Sequence, residues 1–168
     1  VETRRGDVAA AVNWIAARSE VDNRRIALLG WSNGASTTLA AVNRARAGSA
    51  TPLAAAVVLY PGCRDFLRQP FSLGEPLLML LGADDDWTPP ASCLALADRI
   101  RARQPGADLT VRTYEGSVHG FDGARPVRFW KDIPNGKDAA GVHVGGNPQA
   151  RASALAEIDA FLKRTLGN

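Results

Sequence analysis

Ser32, the acidic run Asp84-Asp85-Asp86 and His119 are the residue types of a nucleophile, an orienting acid and a general base, and they follow one another in that order. A serine hydroxyl is a weak nucleophile until an adjacent base takes its proton, and the base needs a third group to hold its ring. Ser32 stands in "GWSNG", directly after the apolar run "RRIALLG" and directly before the small residues "ASTTLAA". A strand, a sharp turn and a helix in succession expose a serine Oγ at the strand's carboxyl end. Gly30 and Gly34 let such a turn close where side chains would strike neighbouring backbone. The competing reading is an ordinary strand–helix turn in which Ser32 caps the helix.

His119 follows the run "LTVRTYEG" and lies between Gly116 and Gly120, which allow its loop to swing over the serine. The bland alternative is a structural histidine. His143 lies deep in an irregular stretch and reads as a surface residue. The residues alone do not choose among the three aspartates. One must turn back toward the imidazole, its neighbours must point elsewhere, and one of them can stabilise the next helix's N-terminus.

The elements that would position these groups alternate. "GDVAAAVNWIAARS" has a helical period of apolar residues at Val8, Ala11, Val12, Ile15 and Ala16. "RRIALLG", "LAAAVVLYPG" and "PLLMLLG" are continuous apolar runs of strands buried on both faces. "NGASTTLAAVNRARAG" reads as a helix stopping at Gly48, and Thr88-Pro89 reads as the N-cap and first position of a helix ending before Pro105-Gly106. "LTVRTYEG" is a fourth strand, residues 122–147 read as a long loop, and a terminal helix places Leu155, Ile158, Phe161, Leu162 and Leu166 on one side. Alternating strands and helices predict an α/β fold, a mostly parallel sheet with flanking helices. The stretch 63–75 shows no helix and is about the minimum length for a parallel crossover.

Composition excludes several classes. The 168 residues carry a net charge of +3, with the arginines scattered rather than gathered into a nucleic-acid face. No apolar run approaches the ~18 residues of a membrane span. The two cysteines and two distant histidines fit no metal-ligand spacing, and no metal or organic cofactor is implied. Cys63 follows the second strand and Cys93 falls in the first turns of the helix after the third. If those strands are neighbours, the two can form a disulfide, which would point to a periplasmic or secreted protein. Two unlinked thiols and a cytoplasmic protein are the competing reading.

Three blocks, "GWSNGA", "GADDDWTP" and "GSVHGF", together with "NPQARASALAEIDAFL", resemble the dienelactone hydrolase family of α/β-hydrolases. The resemblance runs over essentially the whole chain. A Gly-x-x-Asp-x-x-x-Pro pattern is common around the acid of such enzymes, and Gly82, Asp85 and Pro89 fit it, so the resemblance selects Asp85. It implies an acyl-transfer mechanism with Ser32 as nucleophile, His119 as base and Asp85 as orienter, and with the backbone N–H of Asn33 in the oxyanion hole. The family's founding members use cysteine where Ser32 stands, which favours a general carboxylic ester hydrolase over a strict lactonase. Trp31, Phe66, Trp87 and Phe121 adjoin motif positions and are candidates for an apolar substrate pocket; Arg64 and Arg68 are candidates to meet a substrate carboxylate.

The expected partner is therefore a small-molecule ester or lactone, with no nucleic acid and no membrane. A prolyl-oligopeptidase-like peptidase or an acyltransferase would use the same triad, and a non-catalytic binding module is the rival from another class. Family members have further strands before the helix that leads into the nucleophile strand, and those strands supply half of the oxyanion hole. The sequence opens on Val1, with no initiator Met and no charged-then-apolar signal pattern, and is read as beginning after processing or as a fragment. Residues 1–168 are thus expected to be one partial domain that is a poor catalyst alone, its first strand either paired to a missing N-terminal segment or joined edge to edge in a homodimer.

Overall fold

The three continuous apolar runs and the fourth expected strand form one parallel sheet in the order β1-β2-β3-β4: β1 (Ala27–Trp31), β2 (Ala55–Leu59), β3 (Leu77–Gly82) and β4 (Leu109–Tyr114). The computed structural model describes residues 2–45, 53–133 and 140–167. The helices are α1 (Glu2–Ala16), α2 (Asn33–Ala41), α3 (Ala91–Arg103) and α4 (Pro148–Leu166). α2 and α3 link consecutive strands, whereas the β2–β3 crossover holds only a short 3-10 turn, Arg64–Arg68.

Strand alternation sorts the core into two layers. Ala56, Val58, Leu77, Met79 and Leu81 face Leu39 of α2 and Leu96 and Ile100 of α3. Ala55, Val57, Leu59, Leu78 and Leu80 face Phe121 and the Ala150, Ala154 and Phe161 stripe of α4. Removing a fully buried side chain, as in Leu96→Ala, would cost about 2–5 kcal/mol.

β2 and β3 are buried along their whole length, as their unbroken apolar runs predict. β1 differs from expectation. It pairs with β2 alone among the described residues, and Ala27, Leu28 and Leu29 are only half-buried. The helix before it packs on α2 but buries Val12 alone among its described residues, with Trp14 65% exposed.

Other boundaries shift. α2 ends at Ala41; the expected stop at Gly48 lies outside the described residues. The buried stripe of α4 is Ala150, Ala154 and Phe161, an i, i+4, i+11 series, so Leu155 faces solvent. Asn147 caps α4, accepting from the N–H groups of Gln149 and Ala150, with Pro148 at the first position and Gly167 closing the helix at φ 73. The stretch expected to be a loop contains two strands, β5 (Arg128–Lys131) and β6 (Gly141–Val144), paired antiparallel. β5 is exposed throughout, so it shows none of the alternation that reveals a half-buried strand. Residues 134–139 of that stretch lie outside the described residues.

Cys63 and Cys93 are joined by a disulfide that ties the segment after β2 to the first turn of α3. At a sequence separation of 30, the link removes loop-closure entropy worth roughly 3–4 kcal/mol from the unfolded chain. No helix is long and apolar enough to cross a membrane among the described residues.

Candidate active site

Ser32, Asp85 and His119 meet above the carboxyl ends of the parallel strands. Ser32 follows β1 and keeps its N–H on the Leu59 carbonyl of β2 at 2.9 Å. It occupies the N-cap position of α2 with φ 50 and ψ −118, yet its side chain makes no capping bond. Left-handed backbone at a non-glycine residue costs on the order of 1–3 kcal/mol and persists only where surrounding structure enforces it. Ser32 Oγ turns instead to His119 Nε2, 2.8 Å away.

The two flanking glycines are not equivalent. A Cβ on Gly30 would lie 2.5 Å from both the Gly34 carbonyl oxygen and Thr38 Oγ1, so only glycine fits there. A Cβ on Gly34 meets nothing within 4 Å outside its own helix. Steric need at the elbow therefore rests on Gly30 in this chain.

The other two groups come from loops packed on each other. A Cβ on Gly82, which ends β3, would lie 2.5 Å from the Ser117 carbonyl oxygen, and the Asp84 N–H donates to that oxygen at 3.0 Å. Gly116 (φ 63) and Gly120 (φ 75) bracket His119 in the left-handed region that glycine tolerates. His119 Nδ1 lies 2.9 Å from Asp85 Oδ2, and both side chains are buried. A carboxylate only accepts, so Nδ1 carries the ring hydrogen and the Nε2 lone pair faces the Ser32 hydroxyl. Asp85 Oδ1 accepts from the backbone N–H groups of Trp87 (2.9 Å) and Thr88 (2.7 Å), which fix the carboxylate plane.

The three aspartates diverge. Asp84 is exposed. Asp86 lies 2.7 Å from His143 Nδ1 and accepts from the His143 N–H at 2.9 Å, tying β6 to the acid loop. It does not serve the next helix's N-terminus, which begins at Ala91. Asn33 is exposed at the head of α2, where N–H groups have no intrahelical acceptor, and Arg4 Nη1 donates to its Oδ1 at 2.6 Å.

Of the four candidate pocket aromatics, two border the site. Trp87 packs 4.6 Å from the His119 ring, and Trp31 is 45% exposed beside Ser32. Phe66 and Phe121 are core residues instead. Phe66 packs edge-on against Phe71, and Phe121 sits between Tyr60, Tyr114 and α4, with no surface left to line an open pocket. Arg64 and Arg68 are exposed on the 3-10 turn. A cavity of about 410 Å³ lies before the starts of β3 and β4, between Leu73, Glu75, Gln104 and Asp108, at the opposite end of the strands from Ser32. No three metal-ligating side chains gather to hold an ion among the described residues.

Three side chains at the site escaped sequence reasoning. Thr88 begins no helix, for α3 starts at Ala91 with Pro90 as its N-cap. Thr88 Oγ1 lies 2.9 Å from Asp85 Oδ2 and 3.0 Å from the Tyr60 carbonyl oxygen, so its hydroxyl is engaged at the acid rather than at a helix end. Tyr60 follows β2 at φ 43, and its ring meets the His119 ring edge-on at 4.7 Å. Burial, then the neighbouring Asp122, push the Tyr60 hydroxyl far above the usual phenol range, so it stays a donor. Asp122 accepts from Tyr60 Oη at 2.6 Å and from Trp31 Nε1 at 2.8 Å. Only the left-handed position after β2 hints at any of this, and "LYPG" does not display it.

The sequence profile of the dienelactone hydrolase family matches residues 2–166. No curated protein sequence matches the chain. Among solved structures, MGS-M1, an α/β hydrolase enzyme from a Medee basin deep-sea metagenome library, superposes with a TM-score of 0.70 at 15% identity, over 98% of this chain and 65% of its own. A dienelactone hydrolase-like promiscuous phosphotriesterase from metagenomic libraries gives 0.63 at 20% identity, over 96% and 61%. A thermophilic esterase of the planctomycete Thermogutta terrifontis gives 0.65 at 16% identity, over 97% and 65%. The chain thus spans less than two thirds of the length of these three structures, which share its fold. With a parallel sheet carrying Ser32, Asp85 and His119 beyond the ends of β1, β3 and β4 and a profile match along nearly its whole length, the chain belongs to the dienelactone hydrolase family.

Proposed function

We propose that this chain carries the catalytic triad of a serine hydrolase acting on small carboxylic esters or lactones through an acyl-enzyme. The observation that carries the reading is the unbroken line Ser32 Oγ–His119 Nε2–Asp85, at 2.8 and 2.9 Å. Ser32 Oγ attacks the carbonyl carbon while its proton passes to Nε2 of His119. Negative charge moves to the carbonyl oxygen, where the Asn33 N–H is the donor this chain contributes. The C–O bond to the alcohol breaks, and the proton on Nε2 goes to the leaving oxygen. Water then gives a proton to Nε2 as it attacks the acyl carbon, the bond from that carbon to Ser32 Oγ breaks, and Nε2 returns the proton to Oγ as the acid leaves. Asp85 stays ionised and stabilises the imidazolium. Residues 1–168 act in this reading as one partial hydrolase domain.

A fluorophosphonate probe and a p-nitrophenyl ester test it. Wild-type protein should label with one equivalent and release nitrophenol in a burst; Ser32→Ala should do neither. Labelling that survives Ser32→Ala, or well-folded wild type that never labels, would overturn the proposal and favour a binding module.

A further inference from the structure

Asp122 lies three residues beyond His119, and its two acceptors reach across 91 and 62 residues to Trp31 and Tyr60. Trp31 immediately precedes Ser32. Tyr60 touches the remaining parts, with its ring edge on His119 and its carbonyl on Thr88, which in turn reaches Asp85. Ser32 and Tyr60 are also two of the three left-handed non-glycine residues among the described ones. They occupy the neighbouring ends of β1 and β2, whose last residues, Trp31 and Leu59, are in register. Such backbone holds only while surrounding contacts over-determine it. Trp31 is half-exposed, so little packing fixes its indole, and the bond to Asp122 does so instead.

We propose that Asp122 is a positioning residue that sets the Ser32–His119 alignment by clamping Trp31 and Tyr60 to the histidine loop. The inference rests on the assignment of Ser32 and His119 made above. The clamp makes no contact with substrate. It keeps the elbow and the imidazole in one frame, and misplacement of about 1 Å by a change away from the chemistry can cost ~10²-fold in rate.

The experiment measures kcat, KM and fluorophosphonate labelling rate for Asp122→Ala, Asp122→Asn, Tyr60→Phe and the Asp122→Ala/Tyr60→Phe double variant, with Ser32→Ala alongside. Asp122→Ala should lower kcat and labelling rate about 10–100-fold with KM within about twofold. Asp122→Asn should recover most of that loss. Its amide oxygen accepts from the Trp31 indole and its amide N–H donates to Tyr60 Oη, so both contacts survive without the charge. Tyr60→Phe should be costly alone and nearly silent in the Asp122→Ala background, since both changes cut the same bond. Tyr60→Phe keeps the ring and carries the test even if Asp122→Ala fails to fold. Wild-type kcat in folded Asp122→Ala or in Tyr60→Phe, additive effects in the double variant, or Asp122→Asn as damaged as Asp122→Ala would each overturn the clamp. Activity that survives Ser32→Ala would overturn the underlying site assignment instead.

Discussion

Asp85 and Asp86 are neighbours in sequence, and each engages Nδ1 of one of the chain's two histidines. The separations are 2.9 Å for Asp85–His119 and 2.7 Å for Asp86–His143. In the first pair the histidine and aspartate side chains are 5% and 1% exposed; in the second, 51% and 25%. The shorter contact is the less consequential one. Water and salt screen the Asp86–His143 pair, and such exposed pairs contribute about 0–1 kcal/mol. The Asp85–His119 pair has lost its water, so removing one partner strands a buried polar group on the other. The far nitrogen of His119 also faces a hydroxyl, Ser32 Oγ, from which it can take a proton. Burial and the third group, not the length of the bond, separate the proposed catalytic pair from a fastening.

Substitutions can break this contrast. Asp85→Asn should have the largest effect, up to ~10⁴-fold in kcat, because the amide can donate to Nδ1 and favour the tautomer whose Nε2 carries the hydrogen. Steady-state esterase kinetics measure it, and a loss below tenfold would make Asp85 dispensable. Thr88→Val keeps the shape and deletes the hydroxyl on Asp85 Oδ2; loss of one such bond, ~1–1.5 kcal/mol, predicts a kcat roughly tenfold lower. Asp86→Asn should be smallest, with kcat changed less than about fivefold and any stability loss fading as salt is raised to ~1 M. An Asp86→Asn enzyme more crippled than Asp85→Asn would reverse the comparison.

Much of this was legible because it is local. Ser32 between Gly30 and Gly34, and His119 between Gly116 and Gly120, stand out as candidates within a few residues, and the β2 and β3 runs need no partner to be recognised as buried. Resemblance to the family was still needed to single out Asp85 among three aspartates. What stayed hidden depends on meetings across the fold. Thr88 before a proline has every local mark of a helix cap, and only the position of Asp85 claims its hydroxyl. Tyr60 and Asp122 are ordinary residues until strands β1 and β2 stand side by side with the histidine loop above them. β5 and β6 are short, and β5 is exposed, so no hydrophobic period marks them. β1 reads as fully buried because its composition is apolar, while the number of neighbours a strand has is not written in the strand itself.

The tryptophans are distributed unevenly. Trp87 lies against His119, Trp130 lies 6.2 Å from Trp87, and Trp31 adjoins Ser32, whereas Trp14 stands on α1 with its ring under the guanidinium of Arg18. Three of the four indoles thus border the candidate triad or each other, and one belongs to another part of the surface. Replacing Trp14 by Phe would leave an emission spectrum drawn from that neighbourhood alone. An imidazolium quenches a touching indole, so the charge state of His119 becomes an optical signal through Trp87. The acylation of Ser32 proposed above would then be followed in real time on the unlabelled protein, with no dye attached.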